Sequence, residues 1–173
     1  MIEKDAPAVW IDAETQVAGD EPHHRTELRL WLRLLTCSTL IETEVRRRLR
    51  ESFDFTLPRF DLLAQLDKAP DGLVLGEISR RLMVSAGNVT ALVERLAEAG
   101  YITRSALPTD RRVQIIRMTP EGRRRFRTMA DQHGEWIGEL FSGLSAGDGE
   151  TLMAELAKLK TSVRAGSRQE GAR

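Results

Sequence analysis

Between Glu27 and about Glu51, apolar residues recur at spacings of three and four, at Leu30, Leu34, Cys37, Ile41, Val45 and Leu49, which predicts a helix. Leu28, Trp31, Leu32 and Leu35 add a second apolar stripe near its start. A helix apolar on two faces needs two partners, and a second copy of the chain can be the other one. Downstream, Pro58 is placed to open a helix through Leu66, and Pro70-Asp71-Gly72 to end it. The apolar stub at 73–75 is short enough for a small strand. "GEISRRLMVS" reads as a short helix that buries Ile78, Leu82 and Met83. Ser85 is the expected N-cap of the next helix, which turns Val89, Leu92, Val93 and Leu96 inward and stops at Gly100.

The pattern then changes to alternation. Strands near Tyr101–Ser105 and Val113–Met118 are expected to carry a protruding loop from Ala106 to Arg112. Thr119 as N-cap and Pro120 at the first helical position start another helix, with Phe126, Met129, His133, Trp136, Ile137, Leu140 and Phe141 on one side. A last helix from about Gly149 carries Leu152, Leu156, Leu159 and Val163 at near-heptad spacing. Helix, helix, strand, helix, helix and hairpin in that order make a winged helix-turn-helix. The fold class is therefore mainly α with a small β-wing. The expected organisation is a polar, acidic tail over 1–24, a first long helix over 25–56, the winged helix over 57–118, C-terminal helices over 119–165 and a tail over 166–173.

Composition adds a charge asymmetry. Across 173 residues 26 basic side chains balance 26 acidic ones, yet residues 1–27 carry seven acids against two bases, and residues 76–125 carry ten arginines against five acids. A neutral total thus hides a basic face. No run of eighteen apolar residues and no secretion signal is present, so a cytoplasmic protein with no membrane partner is expected. A single cysteine excludes an internal disulfide framework.

The second helix of a helix-turn-helix lies in the major groove, and its first turns reach the base edges. Beside the N-cap Ser85, the residues left facing outward are Ala86, Gly87, Asn88, Thr90, Ala91 and Arg95. Asn88 can pair in two ways with an adenine, and Thr90 can donate to a base or phosphate or touch a thymine methyl. The small residues let the backbone approach. Arg111 and Arg112 at a hairpin tip suit the negative potential of a narrow minor groove, and Asp110 can fix the direction of a neighbouring guanidinium. Double-stranded DNA is the partner this pattern points to. A winged helix serving as a protein or RNA interaction module is the alternative.

"VSAGNVTALVERLAEAGYITRSALPTDRRVQIIRMTPEG" resembles the core signature of the MarR family of bacterial regulators, whose D-x-R wing motif stands here as Asp110-Arg111-Arg112. The family's L-T-x-x-G helix start stands as Met118-Thr119-Pro120-Glu121-Gly122, with Met in place of Leu. The resemblance spans about residues 27–165. It implies an obligate homodimer joined through the first and last two helices, on a near-palindromic operator, with Arg112 entering the minor groove and Asp110 bracing the wing. Residues 28–73 are similar to the subgroup that represses hydroxycinnamate catabolism and is released by p-coumaroyl- or feruloyl-coenzyme A. Such an effector needs an apolar slot, for which Trp31, Leu35, Phe60, His133 and Trp136 are candidates, and cations, for which Arg29 and Arg33 are candidates. A repressor answering to a free phenolic acid or a drug is the alternative within the family.

Nothing in the chain reads as an enzyme. His23 and His24 lie in the tail, His133 sits on an apolar helix face, no Gly-rich phosphate loop follows a strand, and no Cys/His cluster has metal-ligand spacing. No catalytic residue, metal or cofactor is expected. Cys37 falls on the apolar stripe of the first helix, where burial favours an inert thiol over a redox sensor.

Overall fold

The structure is a computed structural model that describes residues 25–107 and 110–170. The expected tail at 1–24 lies outside the described residues, as do Pro108 and Thr109 at the wing tip. The element order is α1 (Arg25–Phe53), α2 (Leu57–Asp67), β1 (Leu73–Val74), α3 (Leu75–Leu82), α4 (Ala86–Glu98), β2 (Ile102–Leu107), β3 (Asp110–Met118), α5 (Pro120–Leu140) and α6 (Ala146–Glu170). Two compact units divide between Ala130 and Asp131, within α5.

In the first unit only the C-terminal end of α1 reaches the core, through Val45 and Leu49. Its N-terminal half leaves Leu30, Trp31, Leu35 and Leu40 exposed. Cys37 is exposed as well, contrary to the expectation of a buried thiol, because its apolar stripe runs past the point where this chain supplies a packing partner. The polar side of α1 is held by spaced ion pairs, with Glu44 accepting from Arg47 and Arg48 at 2.6 Å each. Those two guanidiniums hold its carboxyl at about 2, well below the usual range. Exposed pairs at this spacing contribute little to stability, because water and salt screen them.

The small lobe forms where short elements share one apolar centre. Pro58 sits in the first turn of α2, where its fixed φ is already helical and no donor is lost. Leu62, Leu63 and Leu66 of α2 are fully buried with Ile78 of α3, Val89 and Leu96 of α4 and Ile116 of β3. Burying a side chain of this size stabilises by roughly 2 kcal/mol. Gly72 adopts φ +88°, and a Cβ there would stand 2.6 Å from the Ile116 carbonyl oxygen, so only glycine lets the chain turn into β1. The sheet order is β1-β3-β2, all antiparallel, with Leu73 opposite Ile116 and Ile102 opposite Met118.

The hairpin departs from the expected loop. Its register runs regularly to Ala106 opposite Gln114, then jumps to Leu107 opposite Asp110. Arg111, Arg112 and Val113 therefore fall between successive pairs, as an irregularity within β3. Asp110, Arg111 and Arg112 belong to a strand rather than to a loop from Ala106 to Arg112. A bulge of this kind adds residues to one strand without breaking the ladder on either side, which residue alternation alone does not reveal.

The start of α5 explains the Thr-Pro-Glu-Gly motif. Thr119 Oγ1 accepts from the Gly122 amide at 2.8 Å and donates to the Gly100 carbonyl at 2.7 Å, while its amide donates to the Tyr101 carbonyl at 3.0 Å. Gly122 is buried against that backbone, and a Cβ on it would lie 2.7 Å from the Tyr101 carbonyl carbon. Arg123 pairs with Asp67 of α2 at 2.7 Å, and Phe126 stacks on Phe60 with ring centroids 5.3 Å apart. Four successive contacts thus fix the first turns of α5 to the lobe.

In the second unit Trp136 is buried and His133 half-buried. Burial pushes the His133 imidazole below its usual pKa. Most of α6 is exposed, including Leu152, Met153, Leu156 and Val163.

Candidate nucleic-acid interface

A left-handed residue and a serine build the helix-turn-helix corner. Met83 ends α3 at φ 55°, Ser79 Oγ donates to the Val84 carbonyl at 2.6 Å, and Ser85 Oγ accepts from the Asn88 amide at 3.4 Å to cap α4. Met83 was expected in the core with Ile78 and Leu82, but it is 92% exposed. The helix stops one residue before it, and the reversal of φ swings its side chain off the apolar face.

The sides of α4 divide as the spacing predicts. Val89, Val93 and Leu96 are buried, Leu92 is half-buried, and Ser85, Ala86, Gly87, Asn88, Thr90, Ala91 and Arg95 are exposed. Thr90 Oγ1 donates to the Ala86 carbonyl at 3.0 Å, so outward it offers a methyl and oxygen lone pairs rather than a hydroxyl proton. Asn88, Ala91, Leu92 and Arg95 line one groove with Pro58 and Val84, a hollow of about 300 Å³ on this exposed face. The N-terminal amides and dipole of α4 add a positive end suited to a phosphate.

Ion pairing separates the arginines further. Arg46, Arg47, Arg48, Arg81, Arg123, Arg124 and Arg125 each hold a carboxylate of this chain. Glu121 at the start of α5 is lowered by the hydrogen bond from Arg125 and by the charge of Arg124. Arg80 on α3, Arg95 on α4 and Arg104 on β2 are exposed and make no ion pair with any described residue. Arg80 and Arg104 were not singled out in the sequence. The signal for Arg80 was there, since Glu77 stands four residues before Arg81 and satisfies that neighbour instead.

The ligand candidates are spread over both units. Arg29 and Arg33, one turn apart on exposed α1, line a hollow of about 270 Å³ with Thr26 and Leu30. Trp31 is 58% exposed and Leu35 also lies outside the core. Phe60 is committed to the core of the first unit, packed on Phe126, and is only 6% exposed. His133 and Trp136 belong to the second unit. Among the described residues no three His, Cys, Asp or Glu side chains are grouped to hold a metal ion, and no helix is long and apolar enough to cross a membrane.

A family model described as MarR family matches residues 53–113, which span α2, β1, α3, α4, β2 and the start of β3. A solved MarR family transcriptional regulator from Silicibacter pomeroyi superposes with a TM-score of 0.72 at 28% identity, covering 83% of this chain and 99% of that one. This chain is thus similar to MarR-family winged-helix transcriptional regulators over most of its length. The transcriptional activatory protein BadR of Rhodopseudomonas palustris is 26% identical over 139 residues, 79% of either chain. A MarR family regulator from Streptomyces coelicolor, solved in complex with DNA, shares the fold at a TM-score of 0.70 and 23% identity, over 82% of this chain and 91% of its own.

Proposed function

We propose that this chain is a MarR-family regulator that binds a near-palindromic duplex operator as a homodimer, represses transcription there, and is released by an aromatic acyl-coenzyme A thioester. The observation that carries DNA recognition is the exposed face of α4, where Asn88 and the small residues lie beside Arg95, which makes no ion pair with a carboxylate among the described residues. Asn88 reads a base edge in the major groove, while Arg80, Arg95 and Arg104 contact phosphates. Arg112 enters the adjacent minor groove. Arg112→Ala is expected to weaken binding to a duplex selected by the parent from a random pool, to lower the slope of log affinity against log salt by about one unit, and to leave the circular dichroism spectrum unchanged. Parental affinity at moderate salt would remove the wing from the interface.

The effector reading is favoured by the pairing of Arg29 and Arg33 in one hollow of α1, which suits the phosphates of coenzyme A, with the exposed ring of Trp31 on the same helix. An effector lowers DNA affinity only as far as it binds the free protein better than the bound one. Titration of the protein–duplex complex with p-coumaroyl-coenzyme A, feruloyl-coenzyme A, coenzyme A and p-coumarate is expected to release DNA with the thioesters only. Arg29→Ala combined with Arg33→Ala should raise the concentration needed. Release by p-coumarate at equal concentration, or no release by either thioester, contradicts this reading.

A further inference from the structure

We propose that Met83, in the turn between α3 and α4, is itself a DNA-contacting residue, whose side chain packs on an apolar carbon surface of the duplex. This rests on the reading of α4 as the DNA-reading helix. Three features of the turn converge on it.

The backbone at Met83 lies in the left-handed region at φ 55°, ψ 36°, where a glycine is the usual occupant of such a helix end. An unbranched L side chain there is a standing cost, and such costs persist where a function needs the side chain. The conformation is held from both sides. The Met83 and Val84 amides both donate to the Ser79 carbonyl, and Ser79 Oγ donates to the Val84 carbonyl. The turn is therefore a fixed mount rather than a loose corner.

Met83 is also the most exposed of the large apolar side chains in the described residues, at 92%, so it contributes nothing to the core in return for its strain. Its neighbour Val84, 37% exposed, belongs to the groove beside Asn88, Ala91 and Arg95. Along the chain, the exposed Arg80, which makes no ion pair among the described residues, precedes Met83, and the N-terminal amides of α4 follow it. Groups that hold phosphates thus stand on either side of an apolar one. The sugar between two phosphates and the methyl of a thymine are the carbon surfaces a duplex offers there, and a flexible thioether adapts to either.

The experiment uses the full chain and a duplex selected by the parent from a random pool. Met83→Gly relieves the backbone, Met83→Asn keeps a residue that tolerates the left-handed turn while removing the apolar contact, and Met83→Leu preserves apolar bulk. Affinities are measured across a salt series, with the thermal midpoint followed in parallel. Glycine and asparagine are expected to lower affinity by about five- to tenfold at every salt concentration with the slope unchanged, because an apolar contact releases no counterion. The midpoint of Met83→Gly should not fall, and leucine should stay within about twofold of the parent, since it keeps the apolar contact area. A matching loss when thymines are replaced by deoxyuridines assigns the contact to a methyl, and no such loss assigns it to a sugar. Parental affinity for both Met83→Gly and Met83→Asn overturns the proposal, as does a salt slope that falls with them. A parent that retains no duplex from the pool overturns the DNA reading itself, a failure visible before any variant is made.

Discussion

Gly122→Ala is expected to lower stability by about 3 kcal/mol or more, a drop in thermal midpoint on the order of 10 °C for a chain of this size. A Cβ at this position would meet the backbone of Tyr101, with its carbonyl carbon and Cα each 2.7 Å away. Backbone cannot rotate aside as a side chain can. To admit the methyl, the start of α5 must lift from the lobe, and Thr119 would then lose its bonds to the Gly100 and Tyr101 carbonyls. The Arg123–Asp67 pair at the next residue and the Phe60–Phe126 contact one turn further along would shift with it. Gly76→Ala is the matched control, because nothing lies within 4 Å of a Cβ built there and α3 is helical at that point. That change should be neutral or stabilise by up to about 1 kcal/mol. Urea unfolding of both variants decides the matter, and a Gly122→Ala protein within 1 kcal/mol of the parent would show that the close approach is not rigid.

Leu156→Asp is expected to turn the proposed dimer into a 19.5 kDa monomer in sedimentation and to weaken operator binding roughly a hundredfold. Leu156 is 40% exposed in the single chain, beside Leu152 and Met153, so an aspartate there disturbs no core of its own protomer. Buried in a contact between two copies, the same carboxylate would be desolvated without a partner. Binding falls because two α4 helices must stand about 34 Å apart to read successive major-groove faces, and only a fixed dimer keeps that spacing. A dimeric, fully binding Leu156→Asp protein would place the contact between copies elsewhere.

Sequence and structure agree most closely where local chemistry decides the outcome. Pro58, Ser85, Gly100, Thr119 and Pro120 each act through their own backbone or a neighbour three residues away, and α2, α4 and α5 begin or end at them. The inward set of α4 was legible for the same reason, since helical spacing fixes which residues share a face. The misplacements lie where a local turn carries no sequence signal or where distant parts of the chain decide. Met83 reads as core by spacing from Ile78, but the left-handed turn that removes it has no glycine to announce it. The irregular register that draws Asp110, Arg111 and Arg112 into β3 depends on pairing with β2. Cys37 lies on an apolar stripe that is covered only at its C-terminal end. Phe60 had the residue type of a pocket wall, and only its stacking on Phe126, distant in sequence, assigns it to the core.

Competition between nucleic acids tests the central claim most directly. A labelled duplex selected by the parent from a random pool is bound at physiological salt and challenged with unlabelled duplex of scrambled sequence and with structured RNA. The exposed Asn88 face and the exposed Arg80, Arg95 and Arg104 predict that the selected duplex is held roughly a thousandfold more tightly than either competitor. Displacement by structured RNA at concentrations equal to the duplex would contradict the account, and would make this winged helix a module for another partner.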